Sequence, residues 1–417
     1  MRVVVMGQGY VGLPLAMAAV EAGHHVIGYE PDANRCLSLK SGFSYVEDVP
    51  ASQIERGLRA GTYEPTGDAS DLVGWDVAVI AVPTPLKNRL PDLSYIEDAA
   101  RLLAAGLEAF GDQTVVLEST THPGTTREVL IPILEDLSGL QAGTDFSVGF
   151  SPERIDPGNA TWNFSNTPKI VAGLTDHCAT KVQRFYQTIT EVVCPAKSLE
   201  SAELAKVLEN TFRHVNIALV NEMSRFAHTL GIDLWDALDL AETKPFGFMK
   251  FTPGPGVGGH CLPVDPVYLS HHVKTTLGES FRFVELAQDI NEQQPAYVTR
   301  RLQDALNERG IALNGAHIVA LGLAYKPGTA DVRESPAWAV VDLLRAKGAR
   351  VSVVDPYAAA EHAEVHASVD SVDAKNADAV VVLTPHAEFD LHQVAEKAAY
   401  VLDTRGVVPL HGNLERL

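Results

Sequence analysis

The hydrophobic positions follow one pattern up to about residue 199, a second through the middle of the chain, and the first again from about residue 315. In the opening segment, Val3–Met6 is a short β-branched run followed at once by glycines and then an Ala/Leu-rich stretch, the order of a strand, a tight turn and a helix. His25–Tyr29, Asp76–Val82 and Thr114–Glu118 are further apolar runs. Their alternation with helical periodicity predicts a parallel, doubly wound sheet. From Ser201 to Leu230 neither Pro nor Gly interrupts one helical stretch, in which Leu204, Leu208, Phe212, Val215, Leu219, Met223 and Phe226 recur at steps of three and four. Ser201 is the expected N-cap and Gly231 the expected C-cap. About 30 residues at ~1.5 Å each span roughly 45 Å, more than one small domain needs. This helix is therefore expected to bridge two domains and to carry a dimer interface.

From Gly315 the strand–glycine–helix order returns: HIVALGLAYKPG opens it, VSVVDP echoes HVIGYEP, and DAVVVLTP echoes DVAVIAVPTP. Such an internal repeat predicts a second Rossmann-like domain. The expected fold class is α/β, with an N-terminal Rossmann domain at 1–198, a central helical domain with the long helix at 199–300, and a C-terminal Rossmann-like domain at 301–417.

Composition narrows the function classes. The 417 residues are 46% hydrophobic and 21% charged, enough for more than one packed core. A net charge of −20 argues against nucleic acid or an acidic membrane as partner, so a phosphorylated ligand needs a local set of Lys, Arg and backbone N–H groups. Four cysteines (Cys36, Cys178, Cys194 and Cys261) without a CxxC pair point to neither a disulfide framework nor a metal site. A reducing cytoplasm is the expected location. The N-terminal run is too short and glycine-broken for a signal peptide, and no stretch of 18 apolar residues predicts a transmembrane helix.

Candidate chemistry then falls into place around these elements. Gly7-Gln8-Gly9-Tyr10-Val11-Gly12 is a GxGxxG between a strand and a helix. Its glycines allow a tight turn, close approach of a pyrophosphate and helix–sheet packing. Glu30, at the end of the second strand, would accept the ribose hydroxyls and repel a 2′-phosphate, favouring NAD over NADP. Arg35 is placed to lie against the adenine or to pair with Glu30. The second Rossmann-like domain lacks the third glycine and offers Lys326 and Arg333 instead, so two different nucleotide ligands are expected.

Between the two sheets lies PGPGVGGHCLPVD, a tightly folded loop carrying Cys261, with His260 beside it and Asp265 four residues on. An arbitrary cysteine in a turn is more often structural, but this setting suits an exposed, activated nucleophile. Lys206 and Asn210 share one face of the long helix and would hold a developing oxyanion facing a cysteine; taken alone, the pair reads rather as a solvated face. FSPERIDPGN sets Glu153 and Arg154 in a rigid turn, and ESTTHPG follows a strand end, where α/β sheets bind ligands.

With these stretches (GQGYVGLP, VPTP, ESTTHPGTT, SPERIDPGN, AELAKVLENTFRHVNIALVNE, PGPGVGGHCLPVDP and GLAYKPGTADVRESP) the chain resembles the UDP-glucose/GDP-mannose dehydrogenase family over essentially its whole length. The resemblance implies a two-step, four-electron oxidation of a nucleotide sugar to a uronic acid with two NAD⁺. Cys261 would be the nucleophile, forming a thiohemiacetal and then a thioester that water hydrolyses. Lys206 and Asn210 would stabilise oxyanions, Asp265 would position Lys206 and a water, Glu153 would assist hydrolysis, and Thr120 would hold the catalytic water. Pro83, Thr84, Thr120 and Arg333 would join the glycine turn in holding NAD. Arg154, Gly258, Lys326 and Arg405 would join Glu153, Lys206 and Asn210 in binding the sugar nucleotide.

Enzymes of the family acting on UDP-glucose carry a second glutamate where this chain has Pro157, and TKPFGFM before the cysteine loop resembles the subgroup oxidising UDP-N-acetylhexosamines. UDP-N-acetylglucosamine or a related UDP-hexose is the expected substrate; UDP-glucose, dTDP-glucose and GDP-mannose are the alternatives, and a homodimer is expected. A short-chain epimerase is disfavoured because no tyrosine has lysine four residues later. A catalytically silent NAD-binding sensor is the reading from another class.

Overall fold

The computed structural model describes residues 1–88, 90–109, 112–156, 159, 161–259 and 262–417. The chain forms two compact units, Met1–Glu209 with Val267–Thr276, and Asn210–Pro266 with Leu277–Leu417. The stretch 199–300, expected as a domain of its own, is divided between them.

The first unit is built on one eight-stranded sheet: β1 (Arg2–Met6), β2 (His25–Tyr29), β3 (Tyr63–Thr66), β4 (Val77–Ile80), β5 (Thr114–Leu117), β6 (Ser147–Phe150), β7 (Lys169–Gly173) and β8 (Val193–Pro195), in the order β8-β7-β6-β5-β4-β1-β2-β3. Pairing is parallel from β3 through β6; β7 runs antiparallel to β6 and β8 parallel to β7. The central strands are buried on both faces, which is why they read as unbroken apolar runs rather than alternating ones. Val4, Met6, Ile80 and Leu117 enter one core layer; Val3, Val5, Val79 and Val116 enter the other.

The second unit carries a six-stranded, wholly parallel sheet: β9 (His317–Leu321), β10 (Arg350–Val354), β11 (Val365–His366), β12 (Ala379–Val382), β13 (Val401–Asp403) and β14 (Leu414–Arg416), in the order β11-β10-β9-β12-β13-β14. The internal repeat is visible at the glycine ending the first strand of each sheet. Gly7 has φ +89, donates its N–H to Tyr29 O at 2.9 Å, and a Cβ there would lie 2.7 Å from Ala81 O. Gly322 has φ +86, donates to Val354 O at 2.8 Å, and a Cβ would lie 2.0 Å from Thr384 O. Only glycine fits either position.

The long helix runs Leu199–Leu230. It starts two residues before Ser201, which is not its cap: the capping hydroxyl belongs to Ser198, whose Oγ accepts the Ser201 N–H at 3.1 Å. At the other end Gly231 has φ +69, with Gly231 N–H on His228 O and Ile232 N–H on Ala227 O, a Schellman closure. No helix among the described residues is long and apolar enough to cross a membrane.

Candidate active site

The glycine turn of the first unit is shaped for a pyrophosphate. A Cβ on Gly12 would fall 1.9 Å from Gly7 O, so this glycine lets the helix Gly12–Glu21 pack against the turn. At Gly9 a Cβ would meet nothing within 4 Å, leaving the approach to the turn open. That helix has no side-chain cap at Val11, which leaves N–H groups of its first turn for an anion to satisfy. Glu30 is buried and fixed, Oε2 accepting the Gln8 N–H at 3.2 Å and Oε1 the Asp32 N–H at 3.1 Å, with lone pairs left for ribose hydroxyls. Arg35 lies over the Tyr45 ring, 5.3 Å from its centroid, a flat cationic surface of the kind an adenine stacks on. Thr84 is buried and Pro83 exposed in the loop after β4. That loop is tied to the half-buried Thr120 segment by Ser119 Oγ, which donates to Val82 O at 2.7 Å. These residues fit NAD.

The start of the long helix is bolted to the two loops that follow β5 and β6. Glu203 accepts Gly124 N–H at 2.6 Å, Thr126 N–H at 2.9 Å and the Thr126 hydroxyl at 2.6 Å. Glu209 takes Arg154, Nη2 to Oε1 at 2.7 Å, while Arg154 Nη1 donates to Pro168 O at 2.7 Å. Lys206 sits between these two glutamates in sequence and is only 8% exposed. The solvated-face alternative for Lys206 therefore fails. Glu153 is buried beside it: its Oε1 accepts the Ile155 N–H, and Lys169 stands 3.6 Å from Oε2. Lys169 also donates to Glu118 and to Pro152 O at 3.0 Å, and Tyr186 Oη donates to Glu118 at 2.5 Å. Burial pushes Glu118 well above the carboxylate range, against the pull of Lys169. Burial would raise Glu153 too, but Lys169, hydrogen bonds from Glu118 and the Ile155 N–H, and the charge of Lys206 together hold it below its ordinary value.

The second unit holds the cysteine loop. His260 and Cys261 themselves lie outside the described residues, as does Pro157; the described residues on either side of them are held as follows. Gly254 N–H donates to Asn221 Oδ1 at 2.9 Å, Asn221 Nδ2 donates to Asn291 Oδ1 at 2.9 Å, and Asn210 Nδ2 donates to Asp265 Oδ2 at 2.5 Å. Gly259 N–H donates to Arg333 O at 3.1 Å. A Cβ on Gly258 would meet Glu334 O at 2.7 Å, and one on Gly259 the Tyr325 ring at 2.9 Å, so both glycines are demanded by close packing on the segment after β9. Lys326 lies 5.7 Å from the Tyr325 ring centroid. Arg405 donates Nε to Leu383 O at 2.7 Å, with Nη1 against Gly254; burial lowers it to about 10, still charged at neutral pH. Arg333 pairs with Asp331, Nη2 to Oδ2 at 2.7 Å.

Glu203, Glu209, Lys169, Tyr186, Asn221, Asn291 and Tyr325 escaped the sequence reading. One signal was present: Glu203, Lys206 and Glu209 are spaced by threes, hence along one side of a helix.

Models of the UDP-glucose/GDP-mannose dehydrogenase family match the chain in three parts: its NAD binding domain over residues 1–190, its central domain over 200–293 and its UDP binding domain over 319–409. The UDP-N-acetyl-D-mannosamine dehydrogenase of Pyrococcus horikoshii is 37% identical over 93% of this chain and 90% of its own length. The UDP-N-acetyl-D-glucosamine 6-dehydrogenase of Pseudomonas aeruginosa is 35% identical over 93% of this chain and 91% of its own. A solved structure of the Pyrococcus horikoshii UDP-D-ManNAc dehydrogenase superposes with a TM-score of 0.90, covering 100% of this chain and 99% of that one at 35% identity.

Proposed function

Because the chain belongs to the UDP-glucose/GDP-mannose dehydrogenase family and is an NAD-dependent oxidoreductase, we propose that it oxidises the C6 alcohol of a UDP-N-acetylhexosamine to a carboxylate through a thioester on Cys261. The observation that carries this reading is the packing of the cysteine loop, by Gly258 and Gly259, onto the segment bearing Tyr325, Lys326 and Arg333, in the unit that also holds Arg405. A sugar nucleotide anchored by Lys326 and Arg405 is then held by the same body as the thiol. Covalent capture follows as an intramolecular event.

The oxidation runs in four parts. C6 loses a hydride and its hydroxyl proton, giving an aldehyde; NAD⁺ is the hydride acceptor in both oxidations. The Cys261 thiolate adds to the aldehyde carbon, and the oxyanion so formed lies against Lys206 and Asn210, Asp265 fixing the amide of Asn210. Loss of a second hydride from C6 leaves the thioester. Water then attacks, with Glu153 as base and Thr120 holding the water, and expels the thiolate. Arg154, locked to Glu209, keeps the Glu153 turn in place, and Arg333 completes the NAD site. The N-acetylhexosamine preference rests on the names of the relatives and on the TKPFGFM segment. The enzyme works as a homodimer across the long helix, in a reducing cytoplasm.

Measuring NADH formed per uronate, across UDP-N-acetylglucosamine, UDP-N-acetylgalactosamine, UDP-N-acetylmannosamine and UDP-glucose, tests substrate and stoichiometry together. Two NADH per acid are expected, and Cys261→Ser should stop uronate production while leaving NAD binding largely intact. One NADH with free aldehyde, or full turnover in Cys261→Ser, would refute the covalent mechanism.

A further inference from the structure

Tyr268 is 1% exposed and lies well beyond residue 190, where the match to the family's NAD binding domain ends, and none of the steps above uses it. It folds with the first unit, to which Val267–Thr276 belongs together with Met1–Glu209. There its hydroxyl sits at the neck of a small antiparallel hairpin, Leu86–Lys87 paired with Leu90–Pro91. The Asp92 N–H, shared with Pro85 O at 3.1 Å, donates to the Tyr268 hydroxyl at 3.2 Å. The hydroxyl's own proton is within reach of Pro85 O at 3.1 Å and Asp92 O at 3.2 Å. One side-chain oxygen thus closes both legs of the hairpin.

This hairpin springs from the wall of the dinucleotide turn. A Cβ on Gly7 would lie 3.4 Å from Val82 Cα, so the chain leaving β4 touches the glycine turn at once. In the strand order β4-β1-β2, Glu30 follows β2 and the glycine turn follows β1. A dinucleotide with its adenosine ribose on Glu30 crosses that turn with its pyrophosphate and brings its nicotinamide half over the end of β4. Four residues after Tyr268, on the same helical face, His272 stacks on His122 with ring centroids 4.4 Å and planes 12° apart. His122 stands in the loop after β5, two residues beyond Thr120, and its Nδ1 donates to Pro123 O at 3.1 Å. One face of the segment therefore rests on the loops that follow β4 and β5.

We propose that Val267–Thr276 is a working part of the NAD site, with Tyr268 the positioning residue that sets the Pro85–Asp92 hairpin, and with it Pro83 and Thr84, against the nicotinamide half of the cofactor. This role depends on NAD binding alone, and on neither the thioester nor the identity of the sugar.

Tyr268→Phe keeps the buried ring and deletes only the hydroxyl. Titrating NADH by its fluorescence, and then displacing it with ADP, separates the two halves of the cofactor. The Phe enzyme should bind NADH about three- to tenfold more weakly, the loss of one hydrogen-bonded anchor. Its affinity for ADP and its number of NADH sites per chain should match the parent's. A merely structural tyrosine would instead lower the number of competent sites at an unchanged dissociation constant. His272→Ala should weaken NADH by about twofold or more, and His272→Phe, which keeps a flat ring over His122, should restore the parental value. Equal losses in those two variants remove the stack from the proposal. Parental NADH affinity in Tyr268→Phe, equal weakening of NADH and ADP, or a loss of sites alone overturns the role of Tyr268. Whether the parent makes one NADH or two per sugar acid changes none of these readings.

Discussion

Glu30 and Asp355 occupy equivalent places in the two sheets, each directly after the second strand of its Rossmann unit, and they have been put to different uses. Glu30 spends one hydrogen bond on each oxygen and remains able to take ribose hydroxyls. Asp355 is fully buried, accepting the N–H groups of Leu323 and Ala324 on one oxygen and those of Tyr357 and Ala358 on the other. His386 Nε2 adds a contact at 2.9 Å, while the His386 Nδ1 accepts the Gly328 N–H at 3.2 Å, so Nε2 is the nitrogen bearing the proton. The acidic residue that in the first unit is free to take ribose hydroxyls here ties down the loop carrying Tyr325 and Lys326. Burial would raise Asp355, but His386 and the backbone donors hold it well below the usual range. A depressed carboxyl stabilises above its unfolded value of ~3.9, and that contribution is lost as pH falls below it toward the folded value. Asp355→Asn should therefore cost about 2–4 kcal/mol in urea unfolding at pH 7, and the gap to the parent should shrink below pH ~4. An equal gap at both pH values would show that the charge is not what matters. None of this was legible beforehand: the repeat located Asp355 as an echo of Glu30, but which groups a carboxylate binds thirty residues away is decided by the fold.

Each part of the long helix holds loops of its own compact unit. Its first turns hold Glu203, Lys206 and Glu209; its middle holds Asn210 and Asn221, which grip Asp265 and Gly254, the two ends of the cysteine loop. Asn210 and Asn221 are three helical turns apart, roughly 16 Å along the axis, so a rigid helix sets the span of the loop. Asn221→Ala would take from the Gly254 N–H its acceptor and from Asn291 Oδ1 its donor in a buried setting. The expected result is kcat lowered about tenfold through misplacement of the thiol, with NAD affinity unchanged and the rate of Cys261 alkylation altered in a Cys194→Ser background. Asn221→Ala with parental kcat would remove the loop-clamp role. The existence of the helix and its C-terminal glycine were readable from period and punctuation. Its start was misplaced because Ser198 and Ser201 are equally good caps locally. The clamps were invisible because their partners lie 33 and 55 residues off in sequence.

At the scale of the whole molecule, one face of the long helix is largely exposed in the single chain. Leu204, Leu208, Phe212, Leu219, Met223 and Phe226, the residues whose spacing revealed the helix, are between 43% and 61% exposed. They do not line a core; they form a stripe. With half-buried Val215 their steps are four, four, three, four, four, three, an eleven-residue period of about 3.67 per turn, which stays on one face of a straight helix. The steps read nearly the same in both directions about Val215, so the stripe of a second copy running antiparallel would meet it in register, Phe212 of one copy falling near Leu219 of the other. That is the self-complementarity a two-fold interface requires. At roughly 100 Å² a side chain, six or seven such residues bury on the order of 700 Å² per protomer, close to a standard stable interface and more than a monomer ordinarily leaves exposed. Sedimentation at micromolar concentration should give about twice the chain mass of 44.9 kDa. Phe212→Glu with Met223→Glu places charges on both sides of the two-fold and should halve that mass while sparing NAD binding, since neither residue belongs to the glycine-turn unit. A parent that sediments as a monomer at ~50 μM would leave the stripe without the partner argued for it.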